Sequence, residues 1–272
     1  MRARDVSIQV IEQMAAKWGK EVKPVMVNKV LTTLTAIFDR AKRHGIINDN
    51  PARDAELLKV ATESEDDVEV SPDKVYTKPE VRQLIEATAP GSFDRVVLMT
   101  LGFCGLRVGE ALGLKWSAVD LQGRKIEVKL ALADNDRGQQ ELLQAPKSKS
   151  SKRVIPNLPA ELIHELKTWK LRCPNSDLDL VFARDGGTPM HRNDLSHALD
   201  RAVTKGWIKR LTPQWLRHTF ASLLLAAGVK VPEVSHLLGH KDCAITMKVY
   251  AHFVKEESTA VANLGASIMA GN

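Results

Sequence analysis

Cysteine is scarce in this chain of 272 residues, and its three copies are far apart. Cys104, Cys173 and Cys243 lack the close spacing of metal ligands, so we predict reduced thiols in a cytoplasmic protein. Long apolar runs are also missing, and the first ten residues, MRARDVSIQV, are charged from the second position. We therefore expect no signal peptide, no transmembrane segment and no membrane partner.

The net charge of +6 is unevenly distributed along the chain. Basic residues outnumber acidic ones in 1–61 and in 77–272, whereas 62–76 is strongly acidic. Two basic regions joined by an acidic segment fit a polyanionic partner such as nucleic acid, because neutralising phosphates drives such binding. A basic surface that is merely solvated fits the same numbers, and charge alone does not separate the two interpretations.

The distribution of apolar residues divides the chain into two lobes. The segment ATESEDDVEVSPDK is acidic and almost without periodicity, so we interpret 62–76 as an acidic interdomain linker. Within 1–61, RDVSIQVIEQMAAKW and VMVNKVLTTLTAIFDRAKRHG both place apolar residues at helical spacing. We expect a small helical lobe there, with a core that is marginal unless further helices, a partner or DNA complete it.

The pattern in 77–272 predicts a larger lobe that is mainly α, with a small antiparallel β-sheet. Thr77, Pro79 and Glu80 form a capping box at the start of a helix. GRKIEVKLAL alternates as a half-buried strand does, and LLQAPKSKSSKRVIP predicts two more short strands around a basic loop. Further helical patterns cover 158–171, 192–204, 214–227, 231–238, 242–250 and 255–268.

Two stretches in the first part of the larger lobe carry side chains suited to chemistry. In GLRVGEALGLKW, Arg107 lies among apolar residues, where an unpaired guanidinium is costly; Glu110, one helical turn on, could pair with it. In KSKSSKR, a loop between strands presents several cations, which suits either a solvated hairpin tip or a phosphate ligand. These cations are Lys147, Lys149, Lys152 and Arg153.

Three more stretches follow near the C-terminus. In QWLRHTFASLLLAAG, Arg217 leads an otherwise apolar helix, so its head must leave the core or enter a polar site. In HLLGH, His236 and His240 are four residues apart, but the glutamate of a zinc protease helix is absent and Gly239 predicts the helix end. We therefore expect no metal there. Tyr250, in ITMKVYAH, is one of two tyrosines and taken alone fits an ordinary packed aromatic residue.

In this order, the motifs resemble the tyrosine recombinase (phage integrase) family over most of residues 77–255. The matching positions are Arg107 in GLRVGE, Lys147 before the basic loop, Arg217 in LRH, His240 in LLGH and then Tyr250. VNKVLTTLTAIFDRAKRHGIINDNPA is similar to the later helices of that family's core-binding domain. The resemblance implies a partial core-binding, DNA-binding domain in 1–61 and a catalytic domain with a C-terminal helix in 77–272.

The same resemblance implies a function. A two-domain clamp would hold double-stranded DNA and recombine specific sites through a covalent 3′-phosphotyrosine, with no metal, cofactor or external energy source. The enzyme would be cytoplasmic, encoded by a bacterium or phage. It would act as a homotetramer on paired DNA sites, and it could be a monomer free in solution. The helix over 255–268 would pack on its own domain or dock on a neighbouring protomer.

The resemblance also implies a role for each matching residue. Arg107 and Arg217 would stabilise charge on the phosphate, because a guanidinium stays ionised and its planar fork fits two oxygens. A general acid, Lys147 or Lys149, would protonate the departing 5′ oxygen. The remaining predicted roles are the nucleophile Tyr250, the phosphate ligand His240, the orienting residues Glu110 and His218, and the DNA-binding residues Lys149, Lys152 and Arg153.

The sequence departs from the family pattern at Gln214, where histidine usually precedes x-x-Arg. Glutamine can donate a hydrogen bond to a phosphate oxygen, but it cannot act as a base or carry positive charge. His218 lies on the same helical face, yet a histidine directly after this arginine is itself common in the family. We favour an active enzyme in which Gln214 positions the phosphate. A slow enzyme and an inactive remnant are the other readings of this position.

Three alternatives to a recombinase are consistent with parts of the pattern. One is a catalytically impaired DNA-binding relative of the family, with Gln214 marking its decay. Another is a type IB topoisomerase-like nicking-closing enzyme, which shares the nicking chemistry but not the exchange partner. The third, a helical interaction module without a DNA role, does not account for the ordered arginine, lysine, histidine and tyrosine motifs.

Overall fold

The structure is a computed structural model, and its chain divides into two units, Met1–Val68 and Glu69–Asn272. Lys147, Lys149 and the predicted helix over 255–268 lie outside the residues that it describes. None of the helices in the described part of the chain has the length and apolar composition needed to cross a membrane. The described residues are 2–22, 24–53, 55, 69–134, 140–144 and 152–254.

The smaller unit contains the two helices that periodicity predicts, α1 (Ile8–Glu21) and α2 (Pro24–Arg43). The turn after α2 is held by Asn50, whose Nδ2 donates to the Thr35 carbonyl oxygen and to Asp39 Oδ1, both at 2.9 Å. The apolar faces of the two helices and this turn form one small core. Its buried members are Ile11, Ala15, Val27, Leu31, Phe38, Ile47 and Ala52.

Residues 69–76, the C-terminal part of the segment interpreted as a linker, pack on the larger unit. The Val70 amide donates to the Val249 carbonyl oxygen at 2.8 Å, and the Tyr76 amide donates to Thr219 Oγ1 at 3.1 Å. The side chains of Val70, Val75 and Tyr76 are buried. Apolar burial therefore fixes this part of the segment, so the linker expected over 62–76 is too long at its C-terminal end.

The larger unit is built around α4 (Phe93–Cys104), a helix that is buried along most of its length. It follows α3 (Lys78–Glu86), where the expected capping box is present: Glu80 Oε2 accepts a 2.7 Å hydrogen bond from the Thr77 amide. Helix α4 packs against α6 (Ala160–Lys170), α7 (Arg192–Gly206) and α8 (Gln214–Ala226). The other α-helices among the described residues of this unit are α5 (Val108–Leu112), α9 (Val231–Leu238) and α10 (Cys243–Tyr250).

The strands form a three-stranded antiparallel sheet in the order β1-β2-β5 and a separate two-stranded hairpin of β3 and β4. In the sheet, Ile126 pairs with Ile155 and Val128 pairs with Arg153. The strands are β1 (Val119–Asp120), β2 (Lys125–Val128), β3 (Leu130–Asp134), β4 (Gln140–Gln144) and β5 (Arg153–Ile155). The mainly helical fold with a small antiparallel sheet is therefore confirmed.

One predicted strand is divided in the structure. The alternating stretch GRKIEVKLAL breaks at Lys129 into β2, in the three-stranded sheet, and β3, in the hairpin. Strand β3 lies against α5, and a Cβ added at Gly109 would come within 2.6 Å of the Leu132 carbonyl oxygen. This close approach of α5 to the hairpin is a tertiary contact, which alternation along the chain does not reveal.

Candidate active site

Arg217 lies in the first turn of α8, and its residue exposure is 0%. Its Nη1 donates to the Gly105 carbonyl oxygen at 2.7 Å, and its Nη2 donates to the Leu238 carbonyl oxygen at 2.8 Å. These carbonyls stand at the C-terminal ends of α4 and α9, where backbone oxygens lack donors within the helix and the helix dipole favours a cation. Arg217 can thus stand at the start of an apolar helix, because its guanidinium is hydrogen-bonded to the carbonyl oxygens at the ends of two other helices.

The end of α4 depends on Gly105, which has a left-handed conformation with a φ of 59°. A Cβ on this residue would come within 2.4 Å of the Phe220 ring. Glycine is therefore needed both for the backbone angle and for the space. Gly105 thus binds Arg217 through its carbonyl oxygen, and Arg107 follows two residues later.

Arg107 is the N-cap residue of α5, and Glu110 completes a capping box there. Glu110 Oε2 accepts from the Arg107 amide at 2.9 Å, and Oε1 accepts from Arg107 Nη1 at 3.2 Å. The Arg107 side chain is 30% exposed, whereas Glu110 is buried. The pairing suggested by their spacing is present, and the Arg107 side chain as a whole stays partly exposed.

Arg153 makes the second contact with Glu110. Its Nη1 donates to Oε1 at 2.9 Å, and its Nη2 donates to Oε2 at 2.7 Å. Its Nε donates to the Leu237 carbonyl oxygen at 2.6 Å, next to the carbonyl that binds Arg217. The Arg153 side chain is 0% exposed. The contacts do not support the expectation that Arg153 binds DNA, because its guanidinium charge is paired with the Glu110 carboxylate and its Nε with the Leu237 carbonyl oxygen.

A signal for this burial is present in the sequence. Successive side chains of a strand point to opposite faces, so Arg153 shares the inner face of β5 with Ile155, while Val154 is exposed. Lys152, the residue before the strand, is exposed. Arg153 therefore belongs to the strand, and the predicted basic loop ends at Lys152.

Glu110 is the carboxylate on which two of these arginines converge. Burial alone would raise its pKa, but the hydrogen bonds from Arg153 and the positive charges of Arg153, Arg217 and Arg107 outweigh that effect. The pKa of Glu110 therefore lies below its ordinary value, and the group is ionised at neutral pH. The cluster keeps an excess of positive charge, which suits it to a phosphate.

His240 follows α9 after Gly239, whose φ of 69° ends the helix. The ring is buried, and its Nδ1 lies 2.8 Å from Thr246 Oγ1. This contact sets the orientation of the imidazole. His236, the other histidine of HLLGH, is exposed. The two rings thus lie in different environments despite their helical spacing.

Tyr250 is the last residue of α10, and it is 1% exposed. Its Oη lies 2.9 Å from Nδ1 of His218, the residue after Arg217. The His218 ring also lies against Trp215, with a centroid separation of 4.8 Å. The sequence indicated an orienting role for His218 but not this contact with Tyr250. Gln214 begins α8 one turn earlier and is partly exposed.

The model of the phage integrase family matches residues 74–257. The chain belongs to this family. Its relatives include a XerC-like tyrosine recombinase of Caldanaerobacter subterraneus subsp. tengcongensis, which is 26% identical over 277 residues, or 94% of this chain and 69% of the relative. The XerD tyrosine recombinase of Listeria innocua serovar 6a is 28% identical over 246 residues, or 89% of this chain and 75% of the relative.

Solved structures of the family share the fold. The Tn1549 transposon integrase in complex with a circular intermediate DNA aligns with a TM-score of 0.64 and 22% identity, covering 97% of this chain and 86% of that one. The XerH site-specific recombinase bound to a difH substrate aligns with a TM-score of 0.58 and 15% identity, covering 98% and 73%. The chain is a site-specific DNA recombinase, and the comparisons do not favour the topoisomerase-like or non-catalytic alternatives.

Proposed function

We propose that this recombinase cuts and rejoins double-stranded DNA at a site formed by Arg107, Arg217, His240 and Tyr250. The observation that carries the proposal is the placement of one turn of α8. Arg217 binds the ends of the helices that precede Arg107 and His240, and the next residue, His218, contacts Tyr250. Two adjacent residues, Arg217 and His218, therefore connect the cationic phosphate site with the candidate nucleophile Tyr250.

The arginines supply the electrostatic part of the chemistry. Negative charge on the non-bridging phosphate oxygens is stabilised by guanidiniums that are held in place before the reaction begins. Arg107 is partly exposed and directed by Glu110, so it can meet an incoming phosphate. Gln214 would donate a further hydrogen bond from the start of α8. Removing one such donor commonly slows a reaction by about 10²- to 10³-fold.

The nucleophile requires activation, because a phenol with an ordinary pKa of about 10 is mostly protonated at neutral pH. His218 Nδ1 is within hydrogen-bonding distance of Tyr250 Oη, as a general base must be. In our proposal, neutral His218 carries its proton on Nε2 and accepts the phenolic proton at Nδ1. Gln214 cannot accept a proton, and His218 is the imidazole that contacts the phenol. Since Arg217, His240 and Tyr250 are all buried, we expect the residues around them, including the end of α10, to shift when DNA binds.

The transfer then proceeds in two balanced steps. In cleavage, a bond forms between Tyr250 Oη and phosphorus, the bond to the 5′ oxygen breaks, and the general acid protonates that oxygen. In religation, a 5′ hydroxyl attacks phosphorus and gives its proton back to the general acid, while the bond from phosphorus to Tyr250 Oη breaks and protonated His218 returns its proton to the phenolate. The energy of the phosphodiester is conserved in the covalent link. Lys147 or Lys149 is the proposed acid, and it stays a prediction from the sequence.

The larger assembly is also part of the proposal. Residues 1–61 would serve as the core-binding domain and 77–272 as the catalytic domain of a clamp around DNA, with Lys152 among its DNA contacts. A homotetramer on paired sites would place the strands for exchange. These expectations rest on family membership, on the basic net charge and on the exposure of Lys152.

Strand exchange between two labelled duplexes tests the function. The duplexes would carry a site selected from a randomised palindromic library by binding to the protein. We expect recombinant products with the wild type and none with Tyr250→Phe, although both bind the site. Relaxation of a supercoiled plasmid bearing the site without any exchange would indicate a nicking-closing enzyme. Binding without cleavage by the wild type and by Gln214→His would indicate a DNA-binding relative.

A further inference from the structure

Arg153 is a buried arginine that takes no direct part in the proposed reaction. It is the last residue of the predicted basic loop but begins β5 in the structure, and its side chain is fully buried. A buried guanidinium carries a large desolvation cost unless hydrogen bonds and an opposite charge offset it. Here Glu110 supplies both, through a fork of two hydrogen bonds at 2.9 and 2.7 Å.

The contacts of Arg153 lead to two different parts of the proposed site. Through Glu110, Arg153 is joined to Arg107, because the same carboxylate accepts from the Arg107 amide and from its guanidinium. Through its Nε, Arg153 holds the Leu237 carbonyl oxygen, and the next carbonyl, that of Leu238, holds Arg217. One side chain thus connects the start of α5 with the end of α9, after which His240 follows.

The shape of this arrangement requires arginine. In one planar guanidinium, two nitrogens donate to the Glu110 carboxylate and the third donates to the Leu237 carbonyl oxygen. A lysine has a single nitrogen and cannot make the fork. An ion pair needed only for stability could be replaced by apolar side chains of similar volume with little loss. Such a replacement would keep the stability but lose the fork, and it is the fork that fixes the direction of the Glu110 carboxylate, which in turn orients Arg107.

We propose that Arg153 is a positioning residue, which sets the placement of Arg107 through Glu110 and of the α9 end through Leu237. This inference rests on the proposed active site, in which Arg107 acts on the scissile phosphate. It predicts that losing Arg153 slows cleavage without weakening DNA binding, because its guanidinium is paired with Glu110 and with the Leu237 carbonyl oxygen. It also predicts that the loss depends on the charge of the phosphate.

The test compares two nicked substrates, one with an ordinary scissile phosphodiester and one with a neutral methylphosphonate at that position. The methylphosphonate needs less cationic stabilisation, so it depends less on Arg107. We expect Arg153→Met to slow adduct formation about 100-fold on the phosphodiester, the scale of a misplaced catalytic group, and by about tenfold or less on the methylphosphonate. Arg153→Lys should also slow adduct formation more on the phosphodiester than on the methylphosphonate, but by a smaller factor than Arg153→Met.

Arg95 offers a matched control. It is another poorly exposed arginine, with its Nε 2.8 Å from Glu165 Oε1 and its Nη1 bound to the Ile85 and Thr88 carbonyl oxygens. Arg95→Met should lower stability, yet the folded protein should keep the wild-type ratio of rates on the two substrates. Each rate is measured below the melting temperature of the variant.

A double variant separates positioning from packing. Replacing the pair by Glu110→Met with Arg153→Met should restore much of the stability, because a buried ion pair is replaced by apolar groups. Cleavage should stay slow. Recovery of cleavage together with stability would overturn the inference, and so would an equal loss for Arg153→Met on the two substrates. Absence of any adduct with the wild type would instead refute the proposed active site itself.

Discussion

Replacing Glu110 with glutamine removes the carboxylate that the buried arginine requires. In Glu110→Gln, one of the two oxygens facing the Arg153 guanidinium becomes an amide nitrogen, so two donors meet where a donor and an acceptor met before. The fully buried guanidinium also loses its counter-ion. The shape of the side chain is almost unchanged, so the effect reports on charge and hydrogen bonding rather than on volume.

The size of the effect follows from this burial. Breaking a buried ion pair by removing one partner costs about 3–5 kcal/mol, because the other charge stays desolvated. In a domain of the size of the larger unit, such a loss lowers the melting temperature by about 6–20 °C. The exposed pair of Arg210 and Asp200 is the control. Asp200→Asn should leave the melting temperature nearly unchanged, because exposed pairs contribute little.

The same change should alter the dependence of stability on pH. The pKa of Glu110 is lower in the folded state than in the unfolded chain, where it is about 4.3. Its ionised form therefore stabilises the fold above that value, and this contribution is lost as the pH falls through the folded pKa. The difference between wild type and variant should be constant near neutrality and should shrink below about pH 4.

Denaturant unfolding followed by circular dichroism, in pH steps from 7 to 3.5, measures both quantities. A destabilisation at pH 7 below about 1 kcal/mol would refute the argument, since it would imply that the arginine finds water or another acceptor. A difference that persists unchanged at acid pH would show that the carboxylate charge is not the cause.

Three further changes test other parts of the account. Gln214→His should preserve or raise the rate of adduct formation, and a sharp loss would mean that glutamine has a role that histidine cannot fill. His218→Gln can still accept a hydrogen bond but not a proton, so single-turnover cleavage should fall by about 10²- to 10⁴-fold; an unchanged rate would exclude His218 as the proton acceptor. Gly109→Ala should destabilise by about 1–3 kcal/mol because its Cβ meets the Leu132 oxygen, whereas Gly102→Ala, with its nearest contact at 4.0 Å, should be neutral or stabilising in melting experiments.

Local signals in the sequence predicted much of the fold. The capping box at Thr77 marked the start of α3, and helical periodicity placed α8 and α9 within one or two residues of their observed bounds. Such features depend on neighbours within one or two turns, so they can be read along the chain. The break at Lys129 was missed because the apolar alternation continues through it, whereas the assignment of β2 and β3 to different sheets follows from their pairing with other strands.

The candidate site shows the same limit. Motif order placed Arg217 and Tyr250 in one active site, but nothing local predicted that His218 would meet Tyr250 across 32 positions of sequence. The burial of Arg153 was readable from strand alternation, yet its partner Glu110 lies 43 positions away. Residue types therefore indicated the chemistry, while the partners that orient them depended on the folded arrangement.

The covalent adduct on a nicked suicide substrate shows whether Tyr250 forms the bond to DNA, because the nick prevents religation and traps the link. The chain has two tyrosines, and the second, Tyr76, is buried with its hydroxyl 3.2 Å from the Lys209 carbonyl oxygen. We predict that the wild type and Tyr76→Phe form the adduct, that Tyr250→Phe binds the DNA without forming it, and that the DNA-linked peptide contains Tyr250. An adduct that persists in Tyr250→Phe, or one mapped to another residue, would mean that Tyr250 is not the nucleophile.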